Sequence, residues 1–86
     1  MNESQLREAI LDALAAVAPE AGGVTLDPAF PLRDQLEMDS MDQLNFMVGI
    51  SERLGVEVPE RDYRELLTLD DAVAYVGRAL QAQGGS

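Results

Sequence analysis

The chain has no cysteine and no histidine, and its six basic residues are all arginine, so lysine is missing too. Without cysteine there is neither a disulfide framework nor a thiolate metal site to supplement the core. Without histidine, cysteine or lysine, the side chains that most often titrate or attack near neutral pH are absent, which argues against an unaided enzyme. No apolar run approaches the length of a membrane span, so no membrane insertion is expected. The opening "MNESQLREAI" lacks a basic segment followed by an apolar one, the mark of a secretory signal, and the default expectation is a cytoplasmic monomer.

What is present fits one small domain. Eighty-six residues lie near the low end of what folds without staples, and a hydrophobic content of 47% suffices for a compact bundle. Sixteen acidic residues against six arginines give a formal charge of −10. Such a surface repels nucleic acid and anionic lipid and draws basic partners toward it, although solubility alone would also account for it. Carboxylates can ligate calcium or magnesium, but "DQLEMDSMD" lacks the alternating ligands and the sixth-position glycine of an EF-hand loop. No metal site is assigned.

Leu6, Ala9, Ile10, Ala13, Leu14 and Val17 recur at the spacing of an amphipathic helix over residues 2–17, with Asn2 and Gln5, or Ser4, as candidate caps. Pro19, Gly22 and Gly23 stop it. Residues 18–38 break the pattern with three prolines but carry Val24, Leu26, Phe30, Leu32 and Leu36. This stretch is expected to lie ordered across the bundle on those anchors, with one helical turn near Leu32 to Leu36. A second helix should start at Asp39 or Ser40 and run to Leu54, stopped by Gly55, and a short third should follow Pro59. A fourth should start at Thr68, capped with Asp71, run through Val73, Val76 and Leu80, and end before Gly84. "GVEVPE" is too short and too isolated for a strand. The predicted fold is all-α: a small four-helix bundle, three longer helices and one short, with a long ordered loop between the first and second. Residues 1–83 should form the domain and 84–86 a flexible tail.

The second helix has surplus apolar surface. At 100° per residue, Met41, Leu44, Phe46, Met47, Val48, Ile50 and Leu54 cover about 220°, roughly twice one core-facing stripe. Asp42, Asn45, Gly49, Glu52 and Arg53 make up the polar remainder. Phe46, Met47, Ile50 and Leu54 are the core edge. Met41, Leu44 and Val48, beside Asp42 and Glu52, suit a transient interface in which charge sets encounter and the apolar strip supplies burial. A central helix buried on several sides would show the same pattern, and periodicity does not choose between the two.

Ser40 sits in "EMDSMD" with carboxylates on both sides and no base to activate it. It could cap the helix with Gln43, or Asp39 could cap and leave Ser40 in the first turn with its hydroxyl outward.

The stretch "LEMDSMDQLNFMVGISERLGVEVPERDYRELLTLDDAVAYV" resembles the acyl carrier protein family. The resemblance is carried by Asp39-Ser40-Met41 at the start of the second helix, by Val58-Pro59, and by Thr68-Leu69 leading into Asp71-Ala72-Val73. It implies that Ser40 carries 4′-phosphopantetheine, transferred from coenzyme A by a phosphopantetheinyl transferase. The arm's thiol would then replace the missing cysteine and hold acyl groups as thioesters, and activation of Ser40 would fall to the transferase. Partner enzymes with basic docking patches would meet Asp39, Met41, Asp42, Leu44, Val48 and Glu52. Where such proteins sequester their cargo between the helices, the matching lining is Phe46, Ile50 and Leu66, residues equally suited to a plain core. Glu37 stands where many members have glycine, and Asn45 and Ser51 stand where the fatty-acid synthesis members usually have glutamate. These departures point to a specialised, stand-alone acyl carrier. The alternatives are an unmodified helical adaptor, an aminoacyl carrier, and an acidic metal-binding bundle.

Overall fold

Asn2 and Gln5 start the first helix by satisfying each other's backbone. The Gln5 N–H donates to Asn2 Oδ1 at 2.8 Å, and the Asn2 N–H donates to Gln5 Oε1 at 3.0 Å. The computed structural model describes residues 2–23 and 25–84. Helix α1, Glu3–Val17, buries Leu6, Ile10, Ala13 and Leu14, the stripe its periodicity predicts. A 3-10 segment, Pro19–Gly23, follows directly, a local turn that the proline and glycines gave no specific reason to expect.

The long connection is ordered, by polar ties as much as by apolar anchors. Leu32 and Leu36 are buried and Leu26 packs against the core, whereas Val24 lies outside the described residues. Phe30 departs from expectation: it is 60% exposed. The Phe30 N–H closes a turn onto the Asp27 carbonyl at 3.3 Å. Gln35 clamps that turn from inside, donating to the Asp27 and Phe30 carbonyls at 2.8 and 3.0 Å and accepting the Asp27 N–H at 2.6 Å. With the backbone held this way the ring is left outside. Helix α2, Leu32–Gln35, is the predicted single turn.

Helix α3, Ser40–Leu54, ends at Gly55, whose φ of 66° is the left-handed conformation that favours glycine. Val56 and Val58 are then buried in extended chain, and among the described residues no strand forms. The expected short helix after Pro59 is a 3-10 segment, Glu60–Leu66. Helix α4, Leu69–Gly84, begins with the Asp71 N–H donating to Thr68 Oγ1 at 3.0 Å. It runs through Gly84, one residue beyond expectation; Gly85 and Ser86 lie outside the described residues.

The core joins α1, α3, α4 and the Glu60–Leu66 segment through Ile10, Leu14, Phe46, Ile50, Leu66 and Val76, all with essentially no exposed surface. Each such side chain contributes about 1.5–3 kcal/mol by burial. Helix α1 crosses α3 at Gly49, where a Cβ would stand 3.4 Å from Ala13 Cβ. Gly49 belongs to the polar face by its position on the wheel, but that side is covered by α1 at this point. The connection is fastened to the start of α4: the Leu32 N–H donates to the Leu67 carbonyl at 2.8 Å, and the Asp70 N–H to the Pro28 carbonyl at 3.0 Å.

Candidate functional site

Asp39, not Ser40, caps α3. The Asp42 N–H donates to Asp39 Oδ1 at 2.8 Å, and the Asp39 N–H donates to Asp42 Oδ2 at 3.3 Å. Ser40 is therefore the first residue of the helix proper, and it is exposed. Among the described residues nothing hydrogen-bonds its hydroxyl. It is an accessible, unengaged alcohol at a helix start, with no resident base.

The N-terminus of α3 gives this hydroxyl a particular electrostatic setting. Free N–H groups and the helix dipole favour an anion there by about 0.3–1 kcal/mol, while the Asp39 and Asp42 carboxylates oppose it. The two effects are of similar size, so local charge neither drives nor forbids an anionic ester on Ser40.

Below Ser40 the surplus arc divides as periodicity suggested. Phe46, Met47 and Ile50 are buried and Leu54 packs against the core. Met41, Leu44 and Val48 are 61%, 41% and 43% exposed, together with exposed Glu52 at the lower end. Asp39, Met41, Asp42, Leu44, Val48 and Glu52 thus lie on α3 and its cap, forming an apolar strip edged with carboxylates. Asp42 is half-buried, with its carboxylate turned to the capping bond.

On the other side of Ser40, a groove of about 310 Å³ opens between α2, α3 and the Glu60–Leu66 segment. Phe46 and Leu66 line it as anticipated, but Ile50 does not: it is wholly buried and belongs to the core. Sequence reasoning missed Arg33, Met38, Gln43, Tyr63 and Arg64, which also line the groove. Met38 and Gln43, two residues before and three after Ser40, were the only available hint.

The Glu60–Leu66 wall is held by one strong contact. Tyr75 Oη on α4 donates to Asp62 Oδ2 at 2.6 Å. Burial, and then this hydrogen bond to a carboxylate, push the Tyr75 hydroxyl up to about 12. Across the molecule, Arg7 of α1 bonds Asp70 at the start of α4 at 3.1 Å. Among the described residues no group of three or more carboxylates is placed to hold a metal ion, and no helix is long and apolar enough to cross a membrane.

Comparison with known proteins gives a consistent result. The family profile described as "Phosphopantetheine attachment site" matches residues 4–76. The chain is 35% identical over 75 residues to an acyl carrier protein of Tropheryma whipplei, covering 81% of this chain and 89% of that protein. It is 35% identical over 78 residues to one of Kineococcus radiotolerans, covering 87% and 93%. It is 36% identical over 70 residues to one of Renibacterium salmoninarum, covering 81% and 82%.

Proposed function

The chain belongs to the phosphopantetheine-attachment family, whose members are carriers with a covalent 4′-phosphopantetheine group and not enzymes, and we propose that Ser40 is where this chain holds that group. The single observation that carries the reading is the capping pair: because Asp39 and Asp42 cap the helix start between them, Ser40 is exposed and its hydroxyl makes no hydrogen bond among the described residues. In the attachment step the Ser40 Oγ–phosphorus bond forms as the pyrophosphate bond of coenzyme A breaks. Adenosine 3′,5′-bisphosphate leaves, and the hydroxyl proton passes to a base on the phosphopantetheinyl transferase, since this chain offers none. The attached arm supplies a thiol for thioester chemistry that a cysteine-free chain lacks.

The role of this chain's own residues is presentation. The strip Met41, Leu44 and Val48, flanked by Asp39, Asp42 and Glu52, is suited to basic patches on the transferase and on acyl-loading and acyl-processing enzymes. Carboxylates at its edge speed encounter, and the three apolar side chains provide contact area without a large, permanent interface. Exposed Asn45 and half-buried Ser51 leave the acidic stripe thinner than a run of glutamates would. This supports a specialised acyl pathway over bulk fatty-acid synthesis. A cytoplasmic monomer completes the reading.

Co-expression with a broad-specificity transferase, followed by intact-mass measurement, tests it. One phosphopantetheine should be gained, and none in Ser40→Ala. Modification that persists in Ser40→Ala would move the site elsewhere. No gain in the parent chain, with partner binding unchanged by Ser40→Ala, would favour an adaptor.

A further inference from the structure

The groove beside Ser40 has an apolar floor, from Phe46, Met47 and Leu66, but a charged rim. Arg33 reaches it from α2 and Arg64 from the Glu60–Leu66 segment, and both are exposed. In a chain with sixteen carboxylates and six guanidiniums, Arg7 and Arg61 form ion pairs and the other four arginines form none among the described residues. Arg33 and Arg64 form no ion pair among the described residues. Glu60 shares the rim, so its ionised groups leave a net positive charge there in a molecule of formal charge −10.

The groove is not lined by Ser40 itself, but two of its lining residues, Gln43 and Met47, lie one and two turns further along the same side of α3. Its volume of about 310 Å³ is at the low end for ligand sites. At about 30 Å³ per water-sized group it holds on the order of ten heavy atoms, a short chain and not a long fatty one.

We infer that this groove seats a short acyl group ending in a carboxylate, tethered through Ser40, with Arg33 and Arg64 binding the carboxylate. The inference rests on Ser40 being the attachment point. Guanidinium–carboxylate hydrogen bonds are charge-assisted and directional, and an apolar floor beneath them limits competition from water. A methyl-ended chain of equal length would gain the floor alone and leave both cations without a partner.

The test loads the full chain from glutaryl-coenzyme A or from pentanoyl-coenzyme A with a broad-specificity transferase, and compares thermal melts at low and high salt. The glutaryl form should melt about 2–5 °C higher than the pentanoyl form at low salt, with the difference shrinking as salt rises. Arg33→Gln with Arg64→Gln should erase the difference while leaving the unloaded melt nearly unchanged, because both side chains are exposed. Equal melts for the two loaded forms would overturn the inference, with Ser40 attachment left intact by the mass gain. An equal loss in both forms on removing the arginines would also overturn it, by showing that they hold the arm's phosphate instead of the cargo. No mass gain at all would remove the attachment reading itself, and the inference with it.

Discussion

Asp39 and Asp42 cap one helix jointly, each carboxylate accepting the other's backbone N–H, at 2.8 Å for the Asp42 N–H and 3.3 Å for the Asp39 N–H. Ser40 stands between them and takes no part. Had Ser40 been the cap, its oxygen would have been turned back onto the helix, and capping would have competed with the proposed attachment for one hydroxyl.

Asp39→Ala should therefore destabilise the fold by about 0.5–2 kcal/mol through the lost cap. Asn caps nearly as well as Asp, so Asp39→Asn should keep most of the stability while removing the charge. Urea unfolding of the two variants separates capping from electrostatics.

Ser40→Ala should leave stability within about 0.5 kcal/mol of the parent, because no hydrogen bond is lost. Its intact mass after exposure to a transferase and coenzyme A should be unshifted. A loss of several kcal/mol would show that the hydroxyl is structural after all.

Glu52→Arg reverses a charge on the exposed strip far from the core. Phosphopantetheinylation should slow by about tenfold at low salt, with the gap closing as salt screens the encounter. The melting temperature should barely move. A slower reaction at all salt concentrations alike would point to a contact effect instead of steering.

Gly49→Leu forces a branched side chain into the crossing of α1 and α3, where even a Cβ meets Ala13 at 3.4 Å. A loss of about 1–3 kcal/mol is expected from overpacking, despite the better helix propensity of leucine. Thermal denaturation checks this.

Tyr75 supplies a pH dependence whose sign follows from its raised pKa. Both folded and unfolded chains hold the phenolic proton below about pH 10. Between there and about 12 the unfolded chain loses it while the folded one keeps it, so stability falls as pH rises across that window. Tyr75→Phe should lack this decline while being less stable at neutral pH, where the hydrogen bond to Asp62 is gone. Chemical denaturation at pH 8, 10 and 11.5 gives the comparison.

Much of the fold was legible because period and caps are local. The α1 stripe, the Asn2–Gln5 box, the Thr68 cap and the Gly55 stop all depend on residues within a turn or two of one another. The two edges of the α3 arc were legible for the same reason, but periodicity left open whether the second was exposed or covered, which only the packed fold decides. Phe30 was misjudged because its position is set by Gln35, a polar clamp with no periodic signature, and not by its own hydrophobicity. Gly49 was assigned to the polar face because no wheel shows that another helix passes over it. Arg33 and Arg64 went unnoticed because they come from separate segments and share a groove only after α2 and the Glu60–Leu66 segment have packed beside α3.

The hydrogen bonds that fasten Pro28 and Leu32 to the start of α4 bear on when the protein becomes usable during synthesis. Ser40 is translated well before Leu67 and Asp70, so the α2 wall beside it is not pinned until the start of α4 has emerged from the ribosome. A transferase that recognises the finished surface would act on chains extended past that point, and a nascent chain stalled before Thr68 should be a poor substrate even with its serine in view.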